Sequence, residues 1–164
     1  MLVQESPQTT GNLLAIDPGG SGNGETGIVL LEYSSTEPAR MVDSWAVPGG
    51  LEGFSEWVDR EKYLREADIV VCESFVNWGV PGADLTPILI EGVVRFVRRD
   101  TVLQGASGKN TAVPDSALEN LGLLQVGRGD HHRDRTEAAR HGIWFLKKNR
   151  HTPTVKVGWP PTQS

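Results

Sequence analysis

Two carboxylates in the sequence directly follow apolar segments that have the pattern of buried strands. Asp17 ends the run Asn-Leu-Leu-Ala-Ile, and Glu73 follows Ile-Val-Val-Cys. A carboxylate beside an apolar core loses hydration, and a cation or several hydrogen-bond donors must offset that loss. If the two strands are parallel neighbours, both side chains lie at one edge of the sheet, within reach of one shared metal ion. Taken singly, Asp17 before Pro-Gly is also typical of a turn, and Glu73 of a solvated strand end.

A third segment whose side chains could take part in chemistry is GDHHRDRTEAAR, residues 129–140. On a helix, His131 and Asp134 are three positions apart and share a face. This face continues with small and apolar residues that could lie against a sheet, so both side chains would point inward and could bind a divalent ion. Asp130 is placed to be the N-cap of the helix and is also a candidate ligand. A capped helix start with exposed ion pairs would explain the same residues without a metal.

The elements that must position these side chains follow from the spacing of apolar residues, glycine and proline. Strand patterns occupy residues 12–17, 27–33, 41–47, 67–75 and 101–104, and helical spacing occupies 51–66, 85–97, 114–121 and 129–148. The glycine-rich turn between the first two strands predicts an antiparallel hairpin. A hairpin followed by strands that alternate with helices predicts a mixed α/β sheet.

The domain boundaries follow from the same pattern. Residues 1–11 are polar and are predicted to be a flexible lead-in. Residues 12–149 are predicted to form one domain, since the whole chain of 164 residues has the length of a single domain that can bury a core. Residues 150–164 hold three prolines and little periodicity, and are predicted to be a C-terminal tail.

The composition excludes two classes of protein. No apolar stretch is long enough to cross a membrane, and the first residues lack the apolar core of a signal peptide. The single cysteine, Cys72, lies in an apolar run and cannot form an internal disulfide. We therefore expect a cytoplasmic protein, or one of the host cytoplasm if a phage encodes it.

The charge of the chain is unevenly distributed. Residues 1–94 carry 4 basic and 15 acidic side chains, whereas residues 95–164 carry 12 basic and 6 acidic side chains. Although the net charge is −5, the second half can present a basic face to a nucleic acid. Two solvated surfaces of opposite sign would give the same counts.

The order and context of these segments resemble RuvC-type Holliday junction resolvases of the ribonuclease H-like superfamily, in a phage-like form. LAIDPG at residues 14–19 is similar to the opening strand and turn of that family, and VVCESF at 70–75 to its second acidic motif. HHRD at 131–134, followed by EAA at 137–139, resembles its final helix in the His-containing form of phage-borne members. The resemblance covers residues 12–148.

This resemblance implies a ribonuclease H-like fold, a five-stranded mixed sheet flanked by helices, in a homodimer that acts on branched DNA. It implies that Asp17, Glu73, His131 and Asp134 are the metal ligands. The segment QGASGK, residues 104–109, resembles the one that carries a basic residue near the scissile phosphate, which nominates Lys109 as a catalytic and DNA-binding residue.

Arg133 and Phe75 are further candidates for DNA contact. Phe75 stands one position earlier than the aromatic residue of many bacterial members, so a core role competes with stacking on a base. The turn after Asp17, GGSGNGETG, is also longer and richer in glycine than the turn in the family.

The hypothesis that follows is phosphodiester hydrolysis with two Mg²⁺ ions about 4 Å apart, giving a 5′ phosphate and a 3′ hydroxyl. Oxygen ligands suit Mg²⁺, and a histidine ligand would let Mn²⁺ substitute. Lys109 would place its charge on the transition-state oxygens, and the basic second half would make activity fall with added salt.

Three other functions remain open from the sequence. A nuclease of the same fold could cleave flaps, forks or RNA–DNA hybrids. A phosphotransferase or ATPase of the actin and hexokinase type shares the strand-Asp-x-Gly turn, but usually needs a second domain. A non-catalytic relative could bind nucleic acid or a protein, although the four candidate ligands argue against it.

Overall fold

The structure of the chain is a computed structural model that describes residues 10–22, 24–124 and 133–162. The described residues form five strands: β1 (Thr10–Asp17), β2 (Thr26–Ser34), β3 (Arg40–Val47), β4 (Ile69–Ser74) and β5 (Val102–Gly105). They also form seven helices: α1 (Gly50–Arg60), α2 (Tyr63–Glu66), α3 (Thr86–Val97), α4 (Lys109–Ala112), α5 (Asp115–Asn120), α6 (Arg133–Lys148) and α7 (Thr152–Gly158).

The five strands make one mixed sheet in the order β3-β2-β1-β4-β5. β1, β2 and β3 pair antiparallel, so the predicted hairpin across the glycine-rich turn is confirmed. β4 pairs parallel with β1, and β5 pairs parallel with β4. Helices cover both faces of the sheet, which confirms the predicted α/β class. The condition set by the sequence, that the strands ending at the two carboxylates be parallel neighbours, is met.

Side chains of the central strand β1 alternate between the two faces of the sheet, as strand geometry requires. Leu13 and Ala15 point to the face covered by α6, which we call the α6 face, and Asp17 follows them in the same alternation. Leu14 and Ile16 point to the opposite face, which is covered by α1 and α3 and which we call the α1/α3 face. Asp17 therefore lies under α6.

Helix α6 packs unusually close to the sheet because two glycines leave room for it. A β-carbon added at Gly142 would lie 2.8 Å from a methyl carbon of Leu31, closer than such atoms approach in proteins. A β-carbon at Gly27, the partner of Asp17 in the β1–β2 register, would collide with the main-chain carbonyl of Asp134. The first turn of α6 thus lies directly over the end of β1, and this contact brings Asp134 to Asp17.

The structure differs from the sequence prediction at several places in the described ranges. Strand β1 begins at Thr10, inside the predicted lead-in, and helix α4 forms at Lys109–Ala112, where no helix was predicted. The helical spacing of residues 51–66 is divided into α1 and α2, since the main chain is extended at Glu61. Residues 150–164, predicted as a tail, contain helix α7, whose last carbonyl, at Gly158, accepts a hydrogen bond of 3.1 Å from Asn120. The predicted N-cap Asp130 and candidate ligand His131 lie outside the described residues. Among the helices that the structure describes, none combines the length and apolar character needed to cross a bilayer.

Candidate active site

Three polar side chains form a row across the sheet on the α6 face. Ile16 is the register partner of Cys72, so Asp17 on β1 lies beside Glu73 on β4. Glu73 is in turn the register partner of Gln104 on β5. Each of these residues is two positions beyond an apolar residue of the same core, which is why strand alternation directs all of them under α6.

Glu73 is a buried carboxylate whose negative charge is stabilised by two hydrogen-bond donors. Its residue is 5% exposed, and its Oε2 atom accepts hydrogen bonds from His141 Nε2 at 2.6 Å and from Lys109 Nζ at 3.0 Å. Burial alone would raise the pKa of Glu73, but these two bonds and the charge of Lys109 lower it to about 2. Glu73 is therefore ionised at every physiological pH.

Asp17 is in the opposite electrostatic situation although it lies beside Glu73. Burial raises the pKa of Asp17 well above its usual value, and the negative charge of Glu73 raises it further. The charge of Lys109 lowers the pKa of Asp17, but it does not overcome these two effects. Asp17 is thus a carboxyl group whose ionised form lacks a matching positive charge.

Asp134 adds a third carboxylate from the first turn of α6. Burial raises its pKa, as does the negative charge of Glu25, while the adjacent Arg133 lowers it. The charge of Asp134 in turn contributes to the raised pKa of Asp17. Asp17 is therefore affected by the negative charges of both Glu73 and Asp134, and Asp17 and Asp134 both have raised pKa values.

Lys109 brings a positive charge to these carboxylates. Its Nζ atom lies 3.0 Å from Glu73 Oε2 and 2.8 Å from Glu137 Oε2. Burial would lower the pKa of Lys109, but the bonds to Glu137 and Glu73 outweigh burial and raise it. Lys109 begins α4 directly after Gly108, whose φ of 82° is in the left-handed region that favours glycine. The turn that the sequence singled out therefore delivers its lysine to the carboxylates.

Two residues of the cluster, Glu137 and His141, were missed by the sequence prediction. Glu137 follows Asp134 by three residues, the same spacing as His131 and Asp134, so the signal for a second ligand pair was present one turn later. His141 lies one turn beyond Glu137, on the inward face, where the sequence was interpreted only as a surface for packing. Both positions become recognisable only when the sheet and α6 are assembled.

Arg133 and Phe75 are the other predicted site residues within the described ranges. Arg133 is exposed at the start of α6. Phe75 is half-buried, its main-chain N–H donates to Glu91 Oε2 at 3.2 Å, and it lines a cavity of about 130 Å³. Trp78, in the same loop after β4, is 85% exposed.

The donor set is rich in oxygen, as hard divalent cations require. In the arrangement of the described residues, however, no three His, Cys, Asp or Glu side chains come together in a way that could hold a metal ion. The bonds of Glu73 to His141 and Lys109 and the bond of Lys109 to Glu137 hold these carboxylates instead. His131, the predicted imidazole ligand, is outside the described residues.

Comparisons with known proteins find likeness in structure rather than in sequence. No protein-family model and no curated protein sequence matches the chain. Among solved structures, the chain is similar to Thermus thermophilus RuvC in complex with a Holliday junction substrate, with a TM-score of 0.62 and 16% identity over 87% of this chain and 97% of that chain. A second T. thermophilus RuvC structure gives a TM-score of 0.60 and 16% identity over 84% of this chain and 96% of that chain.

A viral protein shares the same architecture. The Fowlpox virus resolvase, solved with substrate Holliday junction DNA, has a TM-score of 0.53 and 10% identity over 83% of this chain and 99% of that chain. These likenesses span nearly the whole length of each known protein. The chain therefore has the ribonuclease H-like fold in the form found in RuvC and the poxvirus resolvase, as the resemblance of its motifs predicted.

Proposed function

We propose that this chain is a divalent-metal-dependent endonuclease that resolves branched DNA, Holliday junctions in particular, in the cytoplasm. The observation that carries the proposal is the side-by-side placement of Asp17 and Glu73 on parallel strands, beneath a helix that adds Asp134 and Glu137. The likeness to two resolvases solved with Holliday junction DNA supports the choice of substrate. The expected products are a 5′ phosphate and a 3′ hydroxyl.

The raised pKa values of Asp17 and Asp134 fit a site that is completed by a cation. Both carboxyl groups are desolvated and face like charges, so a bound divalent ion would remove the repulsion that raises their pKa values. Mg²⁺, with Mn²⁺ as a substitute, would activate a water molecule and stabilise the leaving oxygen when bound. Asp17, Glu73 and Asp134 are the residues proposed to hold it, which requires their side chains to come closer together than they lie in the described arrangement.

The fourth ligand is proposed to come from α6 or the segment before it. His131 is the residue that the family resemblance nominates. Glu137 is the alternative that the structure adds, because it stands one helical turn after Asp134 and contacts the same lysine as Glu73. Replacing His131 and Glu137 by glutamine, one at a time, separates the two assignments, since only the substitution of the true ligand will weaken the binding of Mn²⁺.

Lys109 is proposed to act on the phosphate that is cleaved. Its ammonium group is held between two carboxylates, so its position is fixed before DNA arrives. A lysine is a compact point charge that suits the non-bridging oxygens of a phosphodiester. In this position it would favour the transition state, in which negative charge on these oxygens increases.

Contacts to the DNA outside the scissile phosphate are proposed for Arg133 and for the loop after β4. Arg133 is exposed beside the carboxylates and can pair with a neighbouring phosphate. Trp78 presents an indole that is 85% exposed, whereas Phe75 is half-buried in the same loop. We therefore propose that Trp78 provides the larger stacking surface for an unpaired base, while Phe75 lines the same cavity.

A homodimer is proposed because symmetric cleavage of a junction needs two sites. An exposed apolar stripe consists of Leu85, the N-cap residue of α3, and of Leu89 and Phe96 on the helix, and Phe96 is 81% exposed. Gly92 lies in this stripe with no atom within 4 Å of a β-carbon built on it, so another helix could approach closely. Positions 85, 89, 92 and 96 are separated by four, three and four residues, which is the spacing of residues that face a partner helix in helix–helix packing. Light scattering at micromolar concentration should give twice the mass of the chain.

The test is a substrate panel with the wild-type protein and Mg²⁺ or Mn²⁺. End-labelled four-way junction, fork, flap and linear duplex DNA are incubated with the protein, with EDTA as the control. Paired symmetric cuts in the junction support the proposal. Preference for forks or flaps would assign a related nuclease activity to the same site, and absence of metal-dependent cleavage on every substrate would refute the nuclease function.

A further inference from the structure

A buried histidine connects the carboxylate row to the last strand of the sheet. His141 is 0% exposed and lies on α6 above β4 and β5. Its Nε2 atom is 2.6 Å from Glu73 Oε2, and its Nδ1 atom is 3.3 Å from Gln104 Nε2. Because Glu73 and Gln104 are register partners on neighbouring strands, one imidazole spans both side chains.

The orientation of Gln104 determines which ring nitrogen of His141 carries the proton. Gln104 Nε2 also lies 2.9 Å from the main-chain carbonyl oxygen of His141, and only the NH₂ end of an amide can donate to a carbonyl. The second N–H of this group therefore faces Nδ1, which must accept. The proton of the neutral ring is then on Nε2, where it is donated to Glu73.

Gln104 makes these two bonds while its own carbonyl stays without a partner. It is 3% exposed, and its Oε1 atom has no hydrogen-bond partner among the described residues. Buried polar atoms in proteins are normally paired, so an unpaired one calls for a functional explanation. Exchanging the positions of Oε1 and Nε2 in the Gln104 amide would not improve its hydrogen bonding, since Oε1 would then face the carbonyl oxygen of His141. The amide group of Gln104 therefore acts as a hydrogen-bond donor to His141.

We propose that Gln104 and His141 are positioning residues that hold the Glu73 carboxylate for the reaction. Gln104 fixes the tautomer and the ring plane of His141. His141 in turn fixes the Oε2 atom of Glu73, so that the Oε1 atom can act together with Asp17. This inference rests on the proposed nuclease function, in which Glu73 is a metal ligand. The partners of a ligand commonly orient it in this way.

The first test is spectroscopic and uses the metal-free protein. Long-range ¹H–¹⁵N correlation spectra distinguish the Nε2–H tautomer of a neutral imidazole from the Nδ1–H tautomer. The chain has 4 histidines, and the signals of His141 are identified by their loss in His141→Gln. We expect the Nε2–H tautomer in the wild type and a changed Nδ1 signal in Gln104→Met. An Nδ1–H tautomer in the wild type would overturn the relay, whether or not the protein cleaves DNA.

The second test separates positioning from packing. His141→Gln keeps an amide donor near the position of Nε2, whereas His141→Leu keeps the volume and loses the donor. We expect His141→Leu to lower the single-turnover cleavage rate by about tenfold or more and to raise the Mn²⁺ concentration needed for half-maximal rate. His141→Gln should restore most of the rate, with junction affinity unchanged in both variants.

Two outcomes of the second test would contradict the proposal. Equal rates for the leucine variant and the wild type would show that Glu73 needs no such support. Equal losses in the leucine and glutamine variants, with lowered melting temperatures, would assign His141 to the core alone. If the wild type itself cleaves no substrate, the nuclease function fails, and the tautomer measurement still decides whether the Gln104–His141–Glu73 relay exists.

Discussion

The two faces of the sheet have cores of different composition. On the α1/α3 face, the described side chains that form the core are apolar, with Phe54 and Trp57 stacked at 5.9 Å and Trp45 packed edge-on against Trp57 at 5.4 Å. On the α6 face, the apolar core adjoins buried polar side chains, namely Glu73, Gln104, Thr136, Arg140 and His141. Among the described residues, the α1/α3 helices bury one charged side chain, Glu91 on α3, whereas the α6 face gathers Glu73, Arg140 and His141.

The polar face is sustained by hydrogen bonds that reach across several elements. Arg140 donates to the main-chain carbonyl of Val113, pairs with Asp115 at 2.6 Å and lies 3.4 Å from Glu137. Through these bonds α6 holds the segment that begins with Lys109. Buried charges are costly to desolvate and are retained where they determine a specific arrangement. Substitutions on the α1/α3 face should therefore change stability, whereas substitutions on the α6 face should change the cleavage chemistry.

The largest effect on stability is expected on the α1/α3 face. Trp57→Ala removes a fully buried indole that has no hydrogen-bond partner among the described residues, so only packing is lost. The free energy of unfolding should fall by about 3–5 kcal/mol, as measured by urea denaturation. Below its melting temperature, the variant should cleave at the wild-type single-turnover rate. Trp57→Phe is the matched control, and a lost cleavage rate in folded Trp57→Ala would break the separation of the two faces.

A second effect concerns pH and the metal-free protein. Because the pKa of Glu73 falls from 4.5 to about 2 on folding, its contribution to stability is present above pH 4.5 and is lost as the pH falls towards 2. This contribution is on the order of 3 kcal/mol. Glu73→Gln should therefore flatten the acid limb of a stability–pH profile measured by denaturant melts. The raised pKa of Asp17 acts with the opposite sign, since its ionisation destabilises the fold as the pH rises.

The matched variant for this measurement is Asp17→Asn. It should keep the acid limb that Glu73→Gln removes, and it should be at least as stable as the wild type at neutral pH because it removes a repulsive charge. Identical profiles for the two variants would contradict the electrostatic difference between these neighbouring carboxylates.

A third effect concerns Lys109 on the α6 face. Lys109→Ala should lower the single-turnover cleavage rate by about a hundredfold, because it removes the fixed charge that is proposed to lie beside the scissile phosphate. Junction affinity, measured by fluorescence anisotropy with Ca²⁺, should change little. Lys62→Ala is the control, since this exposed lysine pairs only loosely with Glu66, at 3.6 Å. An unchanged rate in Lys109→Ala would remove this residue from the chemistry.

The smallest effect is expected at the rim of the site. Arg133→Ala should weaken junction binding a few-fold and lower the slope of log affinity against log salt by about one, as for loss of one phosphate contact. The cleavage rate at saturating protein should not change. Binding measured across a series of salt concentrations checks this, and a salt slope equal to that of the wild type would place Arg133 away from the DNA.

The sequence predicted the parts of the site that depend on strand periodicity. Asp17 and Glu73 were identified because each follows an apolar run, and strand alternation places both on the α6 face. The mixed sheet followed from the hairpin and the alternating elements. Lys109 came from the resemblance to a family, and the structure places it against Glu73 at 3.0 Å.

The contacts that sequence periodicity could not supply are those between distant elements. His141 has the same helical spacing as a packing residue, and its role depends on Glu73 and Gln104, 68 and 37 positions away. The sequence did not predict helix α7 because the start of this helix depends on distant residues. His151, its N-cap residue, donates a hydrogen bond of 2.7 Å from Nε2 to the main-chain carbonyl of Ser34. Local pattern describes one element at a time, whereas these residues are determined by the assembled fold.

The most direct test of the central claim compares wild type and Asp17→Asn on a four-way junction. We expect paired metal-dependent cuts by the wild type and a loss of more than about 10³-fold in the cleavage rate of the variant, with junction binding and stability retained or improved. Asp43→Asn, an exposed carboxylate on β3, serves as the control. Cleavage by Asp17→Asn at the wild-type rate would contradict the assignment of the carboxylates beneath α6 as the nuclease site.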